Sequence, residues 1–117
     1  MPISQLANAV LDSVTEAEQS GLTDFLVGHV GDDNFHIGYL IDPDSATERA
    51  TAEQLNHQLV HRALALGGTC TGEHGVGLHK IDFLVSEAGV GAVAMMRAIK
   101  QALDPDNIKN PGKILKL

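Results

Sequence analysis

Gly31-Asp32-Asp33-Asn34 is a four-residue turn signal set between two runs rich in β-branched and aromatic residues, Thr23 to Val30 and Phe35 to Ile41. That arrangement fixes the centre of the chain as an antiparallel hairpin, because short strands joined by so few residues cannot pair in parallel. A turn over 31–34 places Val30 opposite Phe35 and His29 opposite His36. Opposed residues on one face of a hairpin hold their Cβ atoms about 4.5–5.5 Å apart, so both imidazoles can reach one point in space. Two histidines so placed have the geometry of two ligands for one metal ion.

Helical periodicity brackets the hairpin. Ile3, Leu6, Ala7, Val10, Leu11, Val14 and Ala17 recur at three- and four-residue intervals and form one face of an amphipathic helix that Gly21 ends. Asp42-Pro43-Asp44 closes the second strand. Ser45 and Glu48 then have capping-box spacing ahead of a second amphipathic helix through Ala52, Leu55, Leu59, Val60, Ala63 and Leu66. After Gly67-Gly68, a short strand at Cys70 leads into a glycine-rich loop. A short helix follows over 78–87, and a longer one from about Val90 to Leu103 carries Val93, Met96, Ile99 and Leu103 on one side. Asp104-Pro105-Asp106-Asn107 breaks it, and residues 104–117 form an irregular return segment. The order is α+β: a small antiparallel sheet with helices packed on one face. Three strands make a thin sheet, so its open edge invites a further strand or a homodimer.

The bulk properties narrow the function. With 117 residues the chain is at most one domain, with room for a core but not for a large cofactor-binding domain as well. It is 44% hydrophobic and carries a net charge of −7, with eight scattered Lys and Arg and few aromatics, which argues against nucleic acid as a partner. No apolar run is long enough for a membrane span, and the start lacks a signal peptide's basic and apolar regions. Cys70 is the only cysteine, which fits a reducing compartment, and the chain is expected to be cytoplasmic. Its role is that of a small apolar filler.

A second feature joins the two histidines. Zinc-type catalytic sites commonly combine two histidines with one carboxylate and leave positions open for water or substrate. Glu73 is the natural third ligand, because Gly72, Gly75 and Gly77 let the backbone come close to a bound group. His74 beside it is a candidate general base, with a loop histidine bonded to backbone as the alternative. Asp32 serves as a turn cap or as a partner orienting one of the histidines. The glycine spacing reverses the dinucleotide fingerprint and excludes that cradle. His57 and His61, four apart on a polar helix face, lack the glutamate of a zinc-protease motif. No serine or cysteine has a base partner by spacing.

Three segments in this order carry a resemblance: Gly-His-Val-Gly-Asp-Asp-Asn-Phe-His at 28–36, Thr-Gly-Glu-His-Gly-Val-Gly at 71–77, and Leu-Asp-Pro-Asp-Asn-Ile-Lys-Asn-Pro-Gly-Lys at 103–113. Together they closely resemble the C-terminal domain of FAD-linked oxidases. That family includes cytochrome-linked D-lactate dehydrogenases, D-2-hydroxyglutarate dehydrogenases and the flavin subunit of glycolate oxidase. The resemblance implies that residues 1–117 are the C-terminal part of a substrate (cap) domain, with a large FAD-binding domain upstream and a small 2-hydroxy acid as substrate. It implies that His29, His36 and Glu73 hold a zinc-like divalent ion and that His74 takes the substrate hydroxyl proton while hydride passes to FAD. The closing tail packs toward the flavin domain, making Asn110 and Lys113 its cofactor-binding candidates. On this reading the isolated chain is inactive. A stand-alone metal- or partner-binding domain is the competing expectation, and a small metal hydrolase a third.

Two departures from the family pattern stand out. Asp33 occupies the place of a usual second turn glycine, at a cost of around a kilocalorie per mole if that position needs a positive φ. Gly38 stands where many relatives have a polar residue two positions after the second histidine.

Overall fold

The computed structural model describes residues 1–117, which divide into two compact units, Met1–Thr69 and Cys70–Leu117. The first holds α1 (Ile3–Ser20), β1 (Thr23–His29), a single 3₁₀ turn (Val30–Asp32), β2 (Asn34–Leu40) and α2 (Ala46–Ala65). The second holds the glycine loop, α3 (Ile81–Leu103) and the C-terminal tail. The chain is α+β, as expected. No helix is long and apolar enough to cross a membrane.

In the first unit, α1 ends on Gly21, whose left-handed φ of 77° lets its N–H return to the Glu18 carbonyl. Its buried residues are Leu6, Ala9, Ser13 and Ala17, whereas Ile3 and Leu11 stay exposed. The apolar face is therefore rotated from the one periodicity selects, since burial follows what packs against the helix. α1 packs against both α2 and β1. Arg62 of α2 clasps the two helices together: it donates to the Ser13 hydroxyl at 2.9 Å and pairs with Glu16, with Asp12 at 3.9 Å. At the start of α2, Ser45 accepts the Glu48 N–H at 3.2 Å. The reciprocal half of the capping box is replaced, because the Glu48 carboxylate takes the Asp42 N–H at 2.7 Å and Ser45 N–H goes to the Asp42 carbonyl.

β1 and β2 pair antiparallel, but the register differs from the expectation. Val27 stands opposite His36, Gly28 opposite Phe35 and His29 opposite Asn34. The 3₁₀ turn takes Val30 out of the strand and moves the loop one residue toward the N-terminus. Each strand has one unpaired edge. The expected third strand at Cys70 does not form, because the backbone after α2 leaves extended geometry, with positive φ at Gly67, Gly72, Gly75 and Gly77.

In the second unit, Ile81, Phe83 and Val93 of α3 are buried. Gly89, with φ 80° and ψ 160°, breaks the helix into the two segments that the sequence anticipates. Beyond that break only Val93 is buried, while Ile99 and Leu103 remain exposed. Asp104 terminates α3 and organises the start of the tail. Its carboxylate accepts the N–H groups of Ile108 at 3.0 Å and Lys109 at 2.9 Å and pairs with Lys100, whose ammonium also reaches the Lys109 carbonyl. This single buried carboxylate explains the Asp-Pro-Asp-Asn stretch as a structural knot as well as a helix stop.

Candidate functional site

Tyr39 shows which way the hairpin faces. Its pKa is raised, first by burial and then by the negative charges of Asp24 and Glu16, with Arg62 opposing. Glu16 and Arg62 belong to α1 and α2, so the sheet face carrying Asp24, Leu26, Ile37 and Tyr39 is turned toward the helices. Strand alternation places Phe25, Val27, His29, Asn34, His36 and Gly38 on the opposite face. The two histidines are thus presented away from the helix layer.

The register shift leaves His29 and His36 on one face, since their pairing changes by an even number of residues. They become diagonal neighbours, with ring centroids 6.4 Å apart and planes at 89°. Two imidazoles on a tetrahedral zinc ion keep centroids roughly 5 Å apart, given metal–nitrogen bonds of about 2.0–2.1 Å. The observed separation is wider than that, and His29 is exposed. The two histidines thus share a face and suit a metal ion in donor type, but the structure does not bring their rings to the spacing of a shared ion. Asp33 adopts the left-handed conformation, φ 55° and ψ 30°, and its N–H reaches the Val30 carbonyl. The turn thus requires the geometry that a glycine there would supply without strain.

In the second unit, Glu73 and His74 sit side by side on the glycine loop, both exposed, with Oε1 and Nε2 3.8 Å apart. His74 N–H closes a turn onto the Thr71 carbonyl. Ile114 N–H donates to the Gly77 carbonyl at 2.8 Å, which ties this loop to the C-terminal tail. Two of the three resemblance-bearing segments are therefore physically joined. Asn110 and Lys113 lie exposed on the turn just before that tie, with Asn110 at φ 49° and Lys113 N–H bonded to the Asn110 carbonyl. Below the loop, Cys70 is buried and its pKa is pushed up to about 11, chiefly by burial and then by the Glu87 carboxylate. It is a thiol, not a nucleophile, at neutral pH.

The family profile described as FAD linked oxidases, C-terminal domain, matches residues 1–114. The chain belongs to this family. A mitochondrial D-lactate dehydrogenase [cytochrome] of Arabidopsis thaliana is 46% identical over 115 residues, covering 98% of this chain and 20% of that protein. Glycolate oxidase subunit GlcD of Bacillus subtilis is 37% identical over 114 residues, covering 97% and 24% respectively. A D-2-hydroxyglutarate dehydrogenase of Xanthomonas citri pv. viticola is 38% identical over 90 residues, covering 74% and 19%. The chain spans about a fifth to a quarter of the length of these FAD-linked relatives.

Sequence reasoning missed Phe25 and Val27, which share the histidine-bearing face, and Asp104, which ties down the tail. The period-2 alternation of Phe25, Val27 and His29 was available as a signal, but their cross-strand partners required the register.

Proposed function

We propose that this chain is the substrate-domain portion of an FAD-dependent dehydrogenase or oxidase that converts D-2-hydroxy acids to 2-keto acids. The observation that carries the reading is the placement of His29 and His36 on one face of the hairpin, in a chain of this family. His29, His36 and Glu73 are the ligands for a divalent ion of zinc type, and His74 is the general base. The donor set suits such an ion: two neutral imidazoles and one carboxylate, with positions left for substrate.

The chain's own residues perform binding, orientation and proton transfer. His29, His36 and Glu73 would hold the ion, beside which the substrate's hydroxyl and carboxylate would lie. His74 accepts the hydroxyl proton as the C2 hydrogen leaves with its electron pair, so the alcohol becomes a ketone. When bound, the ion supplies the Lewis acidity that lowers the hydroxyl pKa, and FAD supplies the two-electron acceptor. Asn110 and Lys113, on the turn tied to the His74 loop, are the residues we assign to the flavin side.

The experiment is anaerobic reduction of FAD in the full-length protein by D-lactate, glycolate and D-2-hydroxyglutarate, with metal analysis alongside. We expect flavin bleaching with at least one of them. His74→Ala should lower kcat by about 10²–10⁴-fold while leaving metal content unchanged. A chelator or His36→Ala should remove the metal and activity together. A flavin-loaded, metal-replete protein that none of these acids reduces would refute the reading and favour a non-catalytic metal-binding domain.

A further inference from the structure

Beside the two histidines, on the same face, the ring of Phe25 lies flat across Gly38. The two residues are cross-strand partners, and a Cβ added at Gly38 would come within 2.9 Å of the ring's Cζ, Cε1 and Cε2 atoms. Only glycine leaves the space that the ring fills. Val27, one alternation closer to the turn, stands opposite His36. Phe25 and Val27 are 52% and 54% exposed, so an apolar surface runs along the strand directly up to the imidazoles. On this face His29, Asn34 and His36 cluster at the turn end, Val27 and the Phe25 ring follow, and the Thr23–Leu40 pair closes the far end.

We propose that Phe25, seated on Gly38, is the specificity-determining residue that receives the carbon substituent on C2 of the substrate. This rests on the function proposed above. A 2-hydroxy acid held at the histidines by its hydroxyl and carboxylate has one group left to place, the C2 substituent, and the adjoining surface on this face is apolar. A methyl or short alkyl group gains by covering the ring. Over the ring itself a distal carboxylate gains nothing, because it loses water there without meeting a hydrogen-bond donor. Gly38 acts through Phe25 by keeping the ring down against the strand, which makes it a positioning residue.

Glycolate provides an internal control, since its C2 carries only hydrogen. In the full-length flavoprotein, kcat/KM is measured for glycolate, D-lactate, D-2-hydroxybutyrate and D-2-hydroxyglutarate. The wild type should prefer D-lactate and D-2-hydroxybutyrate over glycolate, by about 10–200-fold per carbon seated. Phe25→Ala should narrow the lactate-to-glycolate ratio about tenfold or more, with glycolate itself changing less than about threefold. Phe25→Leu should restore most of the ratio. Gly38→Ala, which displaces the ring without touching a histidine, should narrow the ratio in the same direction.

An unchanged ratio in Phe25→Ala overturns the proposal. So does an equal loss on all four acids, which would make Phe25 a purely structural residue. A wild-type flavoprotein that oxidises none of the acids refutes the underlying function and this assignment with it. Turnover with an unmoved ratio refutes the assignment alone.

Discussion

Arg62 and Ser13 are joined across two helices and 49 positions of sequence by a 2.9 Å hydrogen bond from the guanidinium to the hydroxyl. Ser13 in turn donates to the Ala9 carbonyl within α1, so the hydroxyl both gives and receives. Arg62 is 17% exposed at its side chain and also pairs with Glu16, itself 33% exposed. Arg62→Met removes these interactions while keeping much of the apolar stem. It should destabilise the chain by about 1.5–3 kcal/mol, toward the lower figure because Glu16 remains partly hydrated. Urea unfolding of the two proteins measures it, and an unchanged midpoint would show the clasp to be energetically silent.

Asp104 makes stability depend on acid. The hydrogen bond from the Lys100 ammonium is the main cause that holds its pKa down to about 2; desolvation, next in size, opposes it, and the N–H groups of Ile108 and Lys109 add to the lowering. A carboxylate whose pKa is lowered by folding contributes stability that is full above its ordinary value near 4 and is lost as pH falls toward 2. The stability difference between wild type and Asp104→Asn should therefore be constant from pH 7 to about 5 and shrink between about 4 and 2. Denaturant titrations at four or five pH values test this. A difference that persists undiminished at pH 2 would show that the charge is not what matters.

Asp33 carries a conformational cost that the chain can shed. Its φ of 55° lies in the left-handed region, where glycine sits without a Cβ penalty. Asp33→Gly should stabilise the hairpin by about 0.5–1 kcal/mol, the relief of strain being partly offset by the greater freedom of glycine in the unfolded chain. Thermal unfolding would register it as a higher midpoint. A lower midpoint would mean that the Asp33 side chain contributes more to the turn than its backbone costs.

Much of the architecture is legible in the residues, and the misses share one cause. Gly21, Ser45 and the Asp-Asp turn act within a few positions, so α1, the start of α2 and the existence of the hairpin follow from local chemistry. The register does not, because whether Val30 ends the strand or opens a 3₁₀ turn is a small energetic choice that no single residue announces. Parity survives that error: His29 and His36 share a face under either pairing, which is why the histidine pair was readable. Burial is settled by partners instead. Ile3 and Leu11 fit a helical stripe yet lie open, while Ser13 is buried because Arg62 reaches it. The Phe25–Gly38 seat was hidden for the same reason, since it is visible only after the strands are aligned. Cys70 failed as a strand because the flanking glycines turn the backbone instead of extending it.

The burial of Cys70 also decides which residues would record oxidative wear. With its pKa pushed up to about 11, the group is a protonated thiol at neutral pH, and peroxides attack thiolates far faster than thiols. The chain's sole cysteine is thereby withdrawn from that chemistry. Met95, 69% exposed, and Met96, 37% exposed, stand in its place on α3. Oxygen damage would accumulate there as sulfoxide, a lesion that methionine sulfoxide reductases can reverse, while the sulfur beneath the His74 loop stays reduced.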